Sequence, residues 1–190
     1  MKPGIETPVD PLQGWEDRTL PAEFVAVMGS SIALGLLMGT MGAYFIMWWE
    51  SPISMLRGMS LVGMALGLVV ILIGIVLHEG LHAFGFLLGG GAPKHIKFGI
   101  MWAQGMPHAH CEVPLRVSSY RIALALPAFV LGVVPIILGF ATHSVWLTGF
   151  GAVLLSAAAG DFMILWSLRS VHAQTLVRDH PTKPGFQIAI

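Results

Sequence analysis

The chain has 190 residues, 55% of them hydrophobic and 11% charged, with a mean hydropathy of +0.78, a composition that excludes most water-soluble domains. Lys plus Arg balance Asp plus Glu at 10 each, so the basic footprint of a nucleic-acid binder is missing. The single cysteine, Cys111, rules out an intramolecular disulfide, and the length suits one compact unit with a few spanning helices.

Residues 1–23 carry Pro3, Pro8, Pro11 and Pro21 among seven charged side chains. They have no basic-then-apolar start of the signal-peptide kind and read as an exposed polar arm. From Phe24 to Trp49 there is no charge, and at 1.5 Å per residue that run reaches about 39 Å, against a hydrocarbon core of about 30 Å. Its small residues Gly29, Ala33, Gly35, Gly39 and Gly42 offer close helix approach, and Trp48 and Trp49 fall where an aromatic belt is expected. A second apolar run starts at Gly58, takes in His78, Glu79 and His82, and continues to Leu88 before Gly89-Gly90-Gly91 and Pro93 stop it.

The next segment, Ala92 to Arg121, contains Ile96–Trp102 and His110–Leu115 on either side of Gly105-Met106-Pro107. This is a candidate β-hairpin, with Pro114 confining the second strand to an edge. A third helix is expected over Ile122–Ala141, carrying Pro127 and Pro135, and a fourth over Val145–Trp166, whose one charge is Asp161. The tail from Arg169, with Pro181 and Pro184, reads as extended or loosely docked. The expected fold is therefore an all-α integral membrane protein with four transmembrane helices and a short β-hairpin between the second and third. It divides into an arm at 1–23, a membrane domain at 24–168 and a tail at 169–190. Lys2, Arg18, Lys94, Lys97, Arg116, Arg121, Arg169, Arg178 and Lys183 fall on one side of such a bundle and Arg57 alone on the other, which predicts both termini in the cytoplasm. Lipid is the first expected partner; the oligomeric state is not set by the sequence.

Val76-Leu77-His78-Glu79-Gly80-Leu81-His82 contains His-Glu-x-x-His, which on a helix sets two imidazoles four residues apart on one face, the spacing of zinc ligands. Glu79 follows the first ligand, where it can act on a metal-activated water as general base and then acid. Three ionisable groups in an otherwise apolar run cost about 2.5–3.5 kcal/mol for each charged group near mid-bilayer, and metal coordination offsets that cost. A bland alternative is that the three only hydrogen-bond inside the bundle. A catalytic zinc needs a third protein ligand. Asp161 is the leading candidate, as the one charge of its helix and close in depth to His78. His95, His108, His110, Cys111, Glu112, Asp179 and His180 are rivals, and Asp161 has the alternative role of orienting an imidazole.

With these residues the chain resembles the small prokaryotic membrane proteins grouped as putative zincin peptidases. The resemblance rests on the His-Glu-x-x-His helix, the Lys94–Phe98 stretch, the proline-bearing third helix from Tyr120-Arg121, the Ser156-to-Asp161 run and Asp179. More distantly it is similar to the site-2 intramembrane metalloproteases, in which one span separates the His-Glu-x-x-His helix from an aspartate-bearing helix. There the aspartate usually precedes a glycine, whereas here Gly160 precedes Asp161. The resemblance implies His78, His82 and Asp161 as zinc ligands, Glu79 as catalytic acid and base, and a peptide or membrane-protein substrate cut near the cytoplasmic membrane face. An edge strand within Ile96–Leu115 is expected to hold an unwound substrate by β-augmentation. The competing class is a non-enzymatic membrane metal-binding, transport or scaffold protein using the same site structurally.

Overall fold

The computed structural model describes residues 14–49, 51–53, 60–101, 106–180 and 185–190. The start of the expected second run at Gly58, the residues Arg57, Trp102, Gly105, Pro181, Lys183 and Pro184, and most of the amino-terminal arm lie outside them. The chain is predominantly helical. A strand β1 (Trp15–Thr19) leads into α1 (Ala22–Trp48) and α2 (Leu61–Leu88), and then the hairpin β2 (Ile96–Met101) and β3 (Met106–Cys111). A short β4 (Leu115–Arg116) precedes α3 (Val117–Ala141), followed by α4 (Val145–Ala157), α5 (Ala159–Leu168), β5 (Leu176–Asp179) and β6 (Gly185–Ala189).

α1, α2 and α3 are each long and apolar enough to cross a bilayer, and α4 with α5 makes a fourth such span if the bent pair is one. Their flanks stay bare: Leu61, Val62, Val76 and Ile46 are among many exposed apolar side chains, as expected of surface that faces lipid rather than water. The Ser60 hydroxyl caps α2 by accepting from the Gly63 N–H at 3.0 Å. α3 begins five residues earlier than expected and passes through a wider π-helical stretch at Ala128–Val133, between Pro127 and Pro135, the local adjustment that lets prolines sit within a span.

Four expectations are corrected. The fourth helix is broken rather than continuous: α4 and α5 meet at Ala158 with a 48° bend. One turn earlier the Ser156 hydroxyl donates back to the Ala152 carbonyl at 2.7 Å, a bond that bends helices, and Asp161 thereby falls in the first turn of α5, where the helix dipole favours a carboxylate. The glycine stripe of α1 meets another helix only in part: Gly29 faces Met163 of α5 at 3.6 Å, whereas nothing among the described residues approaches Gly35, Gly39 and Gly42. α1 packs on α4 and α5 and seats the buried Tyr44 edge-on against Phe140 at 5.5 Å.

The third correction concerns the termini. The described part of the tail is not loose: its β5 and β6 join β1 of the arm and β4 of the preceding loop in a four-stranded antiparallel sheet in the order β1-β6-β5-β4, while Glu16, Asp17 and Arg18 of the arm stay exposed. Val177, Phe186 and Ile188 are buried against Phe86, Leu115, Val117 and Leu168. This core lies at the helix ends that carry the cationic loops, so one end of the bundle is a small folded cap of sheet and helix ends.

The hairpin exists, but its second strand is Met106–Cys111 rather than His110–Leu115. Pro107, not Pro114, is the proline within it, opposite Ile100. The hairpin turns back along α2, so that β3 lies beside the middle of that helix.

Candidate metal centre

Helical spacing alone sets His78 and His82 on one face of α2, with ring centroids 4.9 Å apart. Both rings are buried, and one oxygen of Asp161 faces each: Oδ2 is 3.2 Å from His78 Nε2 and Oδ1 is 3.4 Å from His82 Nε2. Among the described residues, His78, Glu79 and His82 form the one group of three whose ligand atoms, all within 4.8 Å of one another, are placed to hold a metal ion.

α2 and α3 cross at Gly85, where an added Cβ would stand 2.5 Å from Ala123 Cα. That closeness brings the Ala123 carbonyl to 3.0 Å from His82 Nδ1. With Nδ1–H donating there, the Nε2 lone pair of His82 is left free for a metal, the usual role of an outer partner to a ligating histidine. The other ring of the pair is less well held: His78 Nδ1 is buried with no partner among the described residues. A tetrahedral ion with bonds of about 2.0–2.1 Å sets its ligand atoms about 3.3 Å apart. The separations of 3.2 and 3.4 Å fit that spacing, and two imidazoles with a carboxylate are a donor set that suits zinc.

Glu79 is fixed from the hairpin. Its Oε2 accepts the Ala109 N–H at 2.6 Å. Odd-numbered positions of β3 turn their N–H groups away from β2, since Glu112 N–H bonds inward to the His95 carbonyl and the alternation follows. Along that outer edge Ala109 donates to Glu79, Cys111 donates to Asp179 at 3.0 Å, and Pro107 has no N–H to donate. The edge next to Glu79 is therefore already used. The open edge belongs to β2, one further strand spacing of about 4.8 Å away.

The rivals for the third ligand lie elsewhere. His110 and Tyr120 meet Asp179, the former at 3.3 Å and the latter by a short hydrogen bond from its hydroxyl. Donating from Nδ1 to the Asp179 carboxylate pushes the His110 pKa up, and burial pushes the Cys111 thiol up. His95 accepts from Ala92 N–H, and His180 stands 3.9 Å from Asp17. Tyr120 stacks on Phe86, and Phe86 on His82, so the Asp179 cluster supports the centre from behind without joining it. The backbone groups of Ala109 and Ala123 are the contributors that sequence reasoning missed, and no residue-type signal marks them.

No curated protein and no solved structure matches the chain. Residues 71–176, from the middle of α2 to the first residue of β5, match the family described as "putative zincin peptidase". That match covers more than half of the chain and includes every residue of the centre, so the chain belongs to the putative zincin peptidase family.

Proposed function

We propose that this protein is a zinc-dependent membrane-embedded metalloprotease that hydrolyses peptide bonds near the cytoplasmic membrane face, with His78, His82 and Asp161 as zinc ligands and Glu79 as general base and acid. The observation that carries the reading is one constellation: two buried imidazoles bridged by Asp161, with the Glu79 carboxylate held beside them by the Ala109 N–H. A bound zinc ion supplies Lewis acidity to water and to the scissile carbonyl. Glu79 takes a proton from the attacking water on one carboxylate oxygen while Ala109 keeps the other in place, and then delivers that proton to the leaving amine. The Ala123 carbonyl orients the His82 imidazole through Nδ1, so the position of that ring is set before substrate arrives.

Depth supports a site near one membrane face. His78 lies ten residues from Leu88, about 15 Å along α2, and seventeen from Leu61, about 26 Å. The nearer end is the one with the sheet and with Lys94, Lys97, Arg116, Arg121, Arg169 and Arg178, and the bias of basic residues to the cytoplasmic side orients that end and both termini inward. A membrane-protein segment reaching such a depth must unwind to expose a peptide bond. Strand addition on β3 cannot hold it there, because Glu79, Asp179 and Pro107 occupy that edge.

The test is elemental analysis of detergent-purified wild type, His78→Ala and Asp161→Ala, with cleavage of fluorescein-labelled casein by wild type and Glu79→Gln. About one zinc per chain in wild type, lost in both ligand variants, together with turnover that Glu79→Gln removes while keeping its zinc, is the expected result. The separations between the rings and Asp161 also accommodate a shared proton, so folded wild type without metal overturns the reading. Zinc that stays while no variant alters any turnover leaves the site a structural one in a scaffold or transport protein.

A further inference from the structure

Beside Glu79 lies an open cavity of about 400 Å³, walled on one side by Ile75, Val76, Glu79 and Gly80 of α2 and on the other by Phe98, Gly99, Pro107 and His108 of the hairpin. That volume is in the range of sites that enclose a small ligand or a few side chains. Its wall is apolar apart from two groups, Glu79 and the His108 imidazole.

His108 sits directly across the ladder from Gly99. A Cβ at Gly99 would come within 2.9 Å of His108 Cε1, so only glycine lets the ring lie flat across the hairpin. The ring's Nδ1 is buried and has no hydrogen-bond partner among the described residues. A buried polar atom left so costs free energy; Nε2, which is not occluded in this way, is the ring nitrogen left to reach the cavity, and nothing in the proposed mechanism uses it. The peptide bond that joins this residue to Ala109 supplies the N–H that holds Glu79, so His108 and the general base are fixed by the same short stretch of β3.

The edge arithmetic points the same way. A peptide added to β2 would lie two strand spacings, about 10 Å, from the edge of β3 that Glu79 touches, too far for Glu79 to reach its backbone. A segment in the cavity lies between α2 and the hairpin, against both Glu79 and His108.

We infer that His108 is a substrate-binding residue, donating a hydrogen bond to a backbone carbonyl of an extended, apolar peptide segment seated between α2 and the hairpin, and that the substrate is not held by strand addition. The inference rests on the peptidase reading for the identity of its ligand, but its test does not need turnover. Ile75, Val76, Phe98 and Pro107 around the carbonyl-binding ring select apolar side chains near the bond to be cut.

The experiment uses the full-length zinc-loaded protein carrying Glu79→Gln, in detergent, with a fluorescein-labelled alanine/leucine peptide as probe and anisotropy as readout, empty micelles being subtracted. Adding His108→Ala is expected to weaken binding about five- to tenfold, the worth of one hydrogen bond in a sheltered site. His108→Gln, whose side-chain amide can stand where Nε2 stands, is expected to restore most of it, and zinc content is expected to stay constant throughout. Ile100→Pro removes an outward N–H from the open edge of β2 and is expected to change nothing. Loss of binding in Ile100→Pro with none in His108→Ala overturns the inference in favour of strand addition. No measurable binding before His108 is altered, or equal loss in His108→Ala and His108→Gln, overturns it as well. Binding that depends on His108 in a protein whose wild type cuts no casein would instead count against the peptidase reading alone.

Discussion

Gly85→Ala tests whether the crossing of α2 and α3 sets the metal centre. The new Cβ would meet Ala123 Cα at 2.5 Å and Ala123 Cβ at 2.7 Å, where ordinary contact starts at 3.4 Å. Both neighbours belong to the facing helix at its closest point, so the helices must separate or slide by about 1 Å to restore ordinary contact. That movement takes the bond from His82 Nδ1 to the Ala123 carbonyl from 3.0 Å to about 4 Å, beyond hydrogen-bond range. Overpacking of this kind costs about 1–3 kcal/mol, while replacing a glycine in the last turn of a helix by alanine returns at most the interior value of about 0.8–1.0 kcal/mol. The net change in stability is then small, and a thermal melt alone is a poor witness. Metal affinity is the sharper readout, because loss of an outer partner to a ligating histidine weakens binding about ten- to a hundredfold. Zinc competition against a chromophoric chelator, in detergent and with the fold checked by circular dichroism, measures it directly. Zinc affinity equal to wild type in a folded Gly85→Ala protein would refute the coupling between helix crossing and ring orientation.

Three further outcomes are expected. Ala109→Pro deletes the N–H that holds Glu79 without unpairing β3 from β2, because that N–H points outward. Turnover of labelled casein should fall about a hundredfold, as for a catalytic group displaced by about 1 Å, with zinc content unchanged, and equal loss of zinc would show that the hairpin itself had collapsed. The His110 contact with Asp179 should give pH-dependent stability. A folded pKa above the ordinary value of about 6.5 means that its contribution is fully present below that pH and fades as pH rises through the raised value; thermal melts across that window should show the decline in wild type and lose it in Asp179→Asn, and a flat wild-type profile would contradict it. Cys111, buried and with its thiol pushed up, should react with maleimide slowly in the folded protein and quickly once denatured, and rapid labelling of folded protein would mean that β3 does not stay packed on the core.

The long apolar helices and the His-Glu-x-x-His helix were legible in the sequence, because long uncharged runs have few other readings and three ionisable side chains inside one of them stand out. The break between α4 and α5 left no such mark, since Ala157, Ala158 and Ala159 are good helix formers and the bend accompanies a Ser156 hydroxyl bond that composition does not reveal. The sheet was only half visible. Phe186 and Ile188 alternate with Gln187 in a strand pattern, and Leu176 and Val177 precede Arg178 and Asp179, yet five residues of β6 and four of β5 are too short to outweigh the prolines between them. β1, with Glu16, Asp17 and Arg18 exposed, carries no apolar alternation at all and owes its strand form to pairing with β6. The site shows the same division. His78, Glu79, His82 and Asp161 announce themselves by residue type, whereas the Ala109 N–H and the Ala123 carbonyl act through backbone that any residue supplies. What selects those two positions is steric: Ala123 because Gly85 opposite it admits nothing larger, and Ala109 because the hairpin turns back along α2 beside Glu79. His108 falls between these cases. Its residue type was visible and ranked it only as a rival ligand, because the cavity that gives it work exists once β3 is laid against α2 and not before.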